Sequence, residues 1–179
     1  LRYLERFSTA GHVFTVLDEA NHKVPDAAIW LAGQTYKADE AGEIVVPYST
    51  KPGRQPILLL DGDFAALDAF DHSAETYRLD AGIHVDREAL LPRKLAQVAL
   101  RPVLKINGQP ATLAVLEDVR LSISSTDVDG VSSTHEVTDL ELKPGQETLE
   151  KFRVPQRAVQ IHFALHAKAH SLTQDKKVD

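Results

Sequence analysis

The chain has no cysteine and no methionine, and Trp30 is its single tryptophan among 179 residues. Without cysteine there is no thiol nucleophile, no thiolate zinc site and no disulfide. Basic runs are missing too: 20 Lys and Arg stand against 26 Asp and Glu, a formal charge of −6. No basic cluster is longer than a pair, as at Lys176-Lys177. A mildly acidic chain of this kind has little with which to neutralise phosphates, so no nucleic-acid partner is expected. No apolar run approaches the ~20 residues that cross a bilayer, so no membrane span is expected. Nucleophile elbows, phosphate loops and dinucleotide fingerprints do not occur, and long helical patterns are absent. Leu1-Arg2-Tyr3 carries neither an initiator methionine nor a signal-peptide pattern. Lys177-Val178-Asp179 follows directly on a strongly patterned segment. Both observations suggest a piece of a larger protein.

What is present is ordinary globular composition, 43% hydrophobic and 26% charged. The length suits two domains of about 90 residues. Strand signals dominate. Residues 12–17 (His-Val-Phe-Thr-Val-Leu) are apolar on both faces, as in a strand covered from both sides. In Ala27-Ala28-Ile29-Trp30-Leu31, residues 27, 29 and 31 share one face. Asp39-Glu40-Ala41-Gly42 matches a type I turn. Short strands are expected at 44–46 and 57–60; 64–70 fits either strand or helical turns. Residues 77–86 alternate strongly. Asp86 to Lys94, charged and holding Pro92, is the expected linker. Beyond it, Leu95–Ile106 restarts the pattern and Asn107-Gly108 signals a tight hairpin. Strands are expected at 113–116, 119–124 and 136–142. In 159–169, Val159, Ile161, Phe163, Leu165, Ala167 and Ala169 fall on one face. Strands ~8–12 residues apart with turn residues between them indicate an all-β chain of two tandem β-sandwiches, Ig-like or prealbumin-like, over residues 1–87 and 88–179.

The series Val16-Leu17-Asp18, Val24-Pro25-Asp26-Ala27, Ile29-Trp30-Leu31 and Asp39-Glu40-Ala41-Gly42-Glu43-Ile44 resembles the carboxypeptidase-regulatory-like (transthyretin-like) domains. The likeness covers residues 11–47 and implies a sandwich continuing onward. Ala38 stands where that family often has Thr, and the glycine that usually precedes the first strand is displaced to Gly11. In the second half, Phe152-Arg153-Val154-Pro155 leading into the alternating segment loosely resembles the macroglobulin-type sandwiches of bacterial surface proteins. That resemblance implies a scaffold domain, since the macroglobulin thioester needs cysteine.

Four constellations carry possible chemistry. His135-Glu136-Val137-Thr138-Asp139 is one residue short of the zinc-protease motif, with Asp139 where the second His belongs. Its surroundings favour a strand, where positions four apart are ~13 Å from each other. His162, His166 and His170 recur every four residues; on a helix they would form a metal-binding stripe, but on a strand they form a solvated face or a polar contact face. Asp61, Asp63, Asp68 and Asp71 with His72, and separately Asp127 and Asp129, offer carboxylates as calcium does require, yet neither has calcium-loop spacing, and both are explained as turns. Trp30 falls opposite the core-facing residues of its strand. Burial against a neighbouring module or loop is expected; the alternative is a platform for a sugar ring or a protein. No catalytic, metal or cofactor-binding residue is therefore assigned. The expected role is a non-catalytic structural or protein-interaction segment of an exported or cell-surface bacterial protein, in an extracytoplasmic setting. The alternative is a carbohydrate-binding accessory module.

Overall fold

Alternating and β-branched runs become strands through nearly the whole chain in the computed structural model, which describes residues 1–171 and 177–178. The strands divide between two compact units. The first comprises Leu1–Tyr77 joined by Lys105–Gln109 and Ser171; the second holds Arg78–Leu104, Pro110–His170 and the final short strand.

In the first unit, β1 (Arg2–Phe7), β2 (His12–Leu17) and β5 (Ile44–Val46) form one antiparallel sheet in the order β1-β2-β5. β3 (Ala28–Leu31), β4 (Gln34–Lys37), β6 (Gly53–Asp61) and β7 (Phe64–His72) form the other, in the order β4-β3-β6-β7. Between the two lie Phe14, Val16, Ile44 and Val46 from one sheet and Ile29, Leu31, Ile57, Leu59 and Phe70 from the other. Each of these fully buried side chains contributes roughly 1.5–3 kcal/mol. Ala27, Ile29 and Leu31 do face this core, and 64–70 is strand rather than helix. β1 lacks a clean alternation in the sequence, since the charged Glu5 falls between Tyr3 and Phe7 and the apolar Leu4 falls on the other face.

In the second unit, β8 (Tyr77–Val85) and β13 (Thr148–Arg153) pair with β9 (Leu95–Ile106), which also turns into β10 (Gln109–Ala111). The facing sheet runs β12 (Ser132–Thr138), β11 (Leu116–Asp127), β14 (Ala158–His170) and β15 (Lys177–Val178). The core joins Ala96, Val98, Leu100 and Phe152 to Leu121 and Ile123. Ile161, Phe163 and Leu165 pack against it but are only partly buried.

Several expectations need correction. Residues 113–116 do not start as a strand: Leu113–Val115 is a 3₁₀ turn, capped by Thr112 accepting the Ala114 N–H. Residues 136–142 are strand only to Thr138, because Asp139 takes φ 59°. Compactness groups Leu1–Tyr77 with Lys105–Gln109 in one unit and Arg78–Leu104 with Pro110–His170 in the other. β8 pairs with β9, so the charged 86–94 segment, which holds the 3₁₀ turn Arg87–Ala89, lies inside the second unit.

One turn recurs three times. At Asp18, Asp39 and Asp127 the carboxylate Oδ1 accepts the N–H groups two and four residues on. The Asp N–H donates to the carbonyl four residues on, and its own carbonyl accepts the N–H of the third residue. That third residue is Asn21, Gly42 or Gly130, with φ 66°, 68° and 80°. These are residues that tolerate the left-handed region. Asn107 (φ 45°) and Gly108 (φ 81°) form the expected hairpin turn. The Asn107 side chain accepts the Thr76 N–H at 2.8 Å and donates to the Ala74 carbonyl at 2.9 Å.

Candidate interaction surfaces

The outward face of the β4-β3-β6-β7 sheet carries an apolar row. Register aligns Thr35, Trp30, Leu58 and Leu67 across the four strands. The row beside it aligns Lys37, Ala28, Leu60 and Ala65. Alternation forces this: once Ile29, Leu31, Ile57 and Leu59 point inward, Trp30, Leu58 and Leu60 must point out. Trp30 is 40% exposed and Leu67 76%, the latter the most exposed of the large apolar side chains among the described residues. The expected burial of Trp30 is therefore not found within the first unit. Leu58 beside it and Thr35 on its other flank leave much of the indole open to solvent.

The free edge of this sheet is latched at one point. Pro56 has no N–H and stands opposite Ala69, so the polar groups of Ala69 point away from β6. Its N–H is taken by Asp68 Oδ1 at 2.8 Å and its carbonyl by the Tyr3 hydroxyl at 2.9 Å. Asp68 thereby serves the edge. Asp61 and Asp63 flank the β6–β7 turn, about 25 Å along the strand from Asp71 and His72. His72 Nε2 lies 2.7 Å from the Pro47 carbonyl. Asp127 serves the turn described above, and Asp129 pairs with Arg157 at 2.7 Å. Among the described residues no three potential metal ligands come together.

His135 and Glu136 project to opposite faces of β12. His135 pairs in register with Ile123 on the core side and borders a cavity of about 290 Å³ with Ser125, Ser133 and Phe152. The Glu136 carboxylate lies 3.3 Å from Ser122 Oγ and 3.8 Å from Arg120 on the other side. The two cannot meet one ion. On that outer face, His162 lies opposite Ser124 and His166 opposite Arg120, with Ser124–Thr134 and Thr126–Ser132 hydroxyl bonds continuing the polar rows. His162, His166 and His170 are thus spread along β14, as a strand requires.

A buried polar cluster escaped sequence reasoning. His12 is completely buried, its Nδ1 2.5 Å from Glu5 Oε1. The Ser73 N–H donates to its Nε2 at 3.1 Å, which makes Nδ1 the protonated nitrogen. Phe7, Phe14, Tyr48, Phe70 and His72 surround the ring at centroid distances of 5.2–6.2 Å. With both ring nitrogens engaged and the ring itself shut off from solvent, His12 braces β1, β2 and the segment after β7 and has no free nitrogen for proton transfer. The only signal in the sequence was the parity of position 12 with Phe14 and Val16.

The pattern describing the AbpF third immunoglobulin-like domain matches residues 86–179, more than half of the chain. The chain belongs to the AbpF third immunoglobulin-like domain family. Its fold is accordingly all-β and immunoglobulin-like, in agreement with the sandwich architecture. Over 182 aligned residues it is 26% identical to Actin-binding protein F of Dictyostelium discoideum, covering 98% of this chain and 8% of that protein. No solved structure matches the chain. Membership of an immunoglobulin-like family supports a non-catalytic, protein-contacting segment, and no helix among the described residues is long and apolar enough to cross a membrane.

Proposed function

We propose that this chain is a protein-binding segment of a much longer modular protein, and that it contacts its partner through the Trp30–Leu58–Leu67 row. The observation that carries the reading is that row: a solvent-facing apolar stripe on the outer face of the β4-β3-β6-β7 sheet, holding an aromatic residue of the type that anchors interfaces. The first partner to test is filamentous actin, because the relative matched along nearly all of this chain is named an actin-binding protein. The test is cosedimentation of the 179-residue chain with filaments, beside the variant Trp30→Ala/Leu67→Asp. Truncating an aromatic anchor costs about 2 kcal/mol, roughly thirtyfold in affinity. Binding by the parent with such a loss in a folded variant supports the reading. Equal binding by both removes the row as the contact, and no binding by either removes actin.

A second reading, a carbohydrate-binding accessory module, is favoured by the exposed indole. Titrating Trp30 emission with a panel of polysaccharides tests it; emission unmoved by every one disposes of the idea. The finer kinship of each unit, carboxypeptidase-regulatory-like for the first and macroglobulin-like for the second, belongs to the same proposal and is supported by sequence pattern. An extracytoplasmic placement in a bacterial surface protein, drawn from the same sequence pattern, is the alternative to an actin partner rather than part of it, and fractionation of cells making the parent protein separates the two.

A further inference from the structure

β14 is the longest strand together with an incompletely occupied edge. One side pairs with β11 from Leu116↔Ala169 to Asp127↔Ala158, while on the other β15 reaches only Ala169 and His170. Among the described residues nothing pairs with that edge from Ala158 to Lys168. Folded proteins blunt such edges with proline, bulges or covering groups. β7 is latched at Ala69, whereas β14 contains no proline and its irregularity, at Val159 between the Thr126 and Asp127 pairings, is confined to its first residues.

The core beneath this edge is also open. Leu121 and Ile123 on β11 are buried, but their register partners Leu165 and Phe163 are only partly so. A cavity of about 650 Å³, bordered by Leu79, Arg120, Leu165 and Lys168, lies at one end. Another of about 540 Å³, bordered by Ile83, Leu90 and Phe163, lies further along. The chemistry of the strand is one-sided. From Ala158 to His170 there is no carboxylate, and every polar side chain (Gln160, His162, His166, Lys168, His170) carries an N–H. Lys168 already bonds Asp118 at 3.1 Å, so this face accepts carboxylate partners.

We propose that the free edge of β14 takes up an extended segment of a partner protein in which apolar residues alternate with Asp or Glu. This rests on the reading of the chain as a protein-interaction segment and names the partner's chemistry. The added strand continues the backbone ladder. Its apolar side chains cover Phe163 and Leu165 toward the two cavities, and its carboxylates accept hydrogen bonds from His162 and His166 on the other face. A second copy fits less well: antiparallel self-pairing about Ala164 sets His162 against His166 and Gln160 against Lys168, and supplies no carboxylate.

The test uses the 179-residue chain with two fluorescein-labelled ten-residue peptides, one alternating Val with Glu and the other Val with Lys. Fluorescence anisotropy gives affinity, and hydrogen exchange reads the amides of 159–168. The Glu peptide is expected to bind, to protect those amides, and to bind about tenfold more weakly to His162→Glu/His166→Glu of unchanged melting temperature. Equal binding of the Lys peptide, or binding without protection on β14, overturns the proposal. So does a concentration-dependent dimer in analytical ultracentrifugation that the double variant abolishes, since the edge then belongs to a second copy. If the Glu peptide fails while Trp30-dependent cosedimentation persists, strand addition alone falls; if both fail, the interaction reading falls with it.

Discussion

Replacing His12 with Leu keeps nearly the same volume and removes both hydrogen bonds of a fully buried ring. The Ser73 N–H loses its acceptor inside the first unit, which costs about 1–3 kcal/mol. Glu5 loses its bond to Nδ1, but its side chain is 25% exposed and can turn to water, so the penalty there is smaller. Burying leucine among Phe7, Phe14 and Phe70 offsets about 1 kcal/mol. The net loss is about 1–2 kcal/mol. With a urea slope of about 1 kcal/mol/M for a unit of this size, the midpoint falls by about 1–2 M. Trp30 is the single tryptophan and sits in the first unit, so its emission reports that unit's unfolding. Glu5→Gln, which still accepts a hydrogen bond, should cost less than about 1 kcal/mol. A midpoint for His12→Leu within about 0.5 M of the parent would refute the argument that His12 braces the unit.

Gly11→Ala should be costlier. The backbone has φ +145°, and a Cβ would sit 2.2 Å from the Val46 carbonyl oxygen and 2.8 Å from Pro47 Cα. A loss above about 3 kcal/mol is expected in the same urea assay. Asp127→Ala removes the acceptor of two backbone N–H groups and should cost about 1–2 kcal/mol, read as faster hydrogen exchange in the β11–β12 hairpin. Asp127→Asn, which keeps an oxygen there, should cost less. At high pH the direction follows from Tyr3 and Tyr48. Burial raises both hydroxyls above their usual value, aided by Asp68 for Tyr3 and Glu75 for Tyr48. Their contribution is complete below about pH 10 and disappears as pH rises through the raised values. The urea midpoint should fall across that range, and Tyr3→Phe/Tyr48→Phe should flatten the fall.

The first unit was legible because its strands state their parity plainly: Ala27, Ile29 and Leu31 could only be core, and Asp39 with Gly42 could only be a turn. The second was less so. β13 hides because only Phe152 of Thr-Leu-Glu-Lys-Phe-Arg is buried, leaving little apolar rhythm. Leu113–Val115 reads as strand by composition, and Thr112 capping overrides that preference. The linker expected at 86–94 was inferred from charge and proline, but pairing of β8 with β9 depends on residues too far apart for local composition to reveal. Alternation within β3 is enough to turn Trp30 outward; the company of Leu58 and Leu67 is a matter of register, which no single strand contains. His12 was hidden by its setting, since a histidine in an apolar run gives no hint of a Glu5 arriving from another strand.

Asn107 has a bearing on how the protein ages. Asn-Gly is the dipeptide most prone to lose its amide, through attack of the glycine nitrogen on the asparagine side chain. Here that side chain is held at both ends, by the Thr76 N–H and the Ala74 carbonyl, within a turn of fixed backbone. The same grip that sets the hairpin therefore restrains the attack geometry. Once the amide is lost, the carboxylate left behind faces the Ala74 carbonyl with no proton to offer, so chemical damage at this one turn would loosen the segment that Asn107 now fastens.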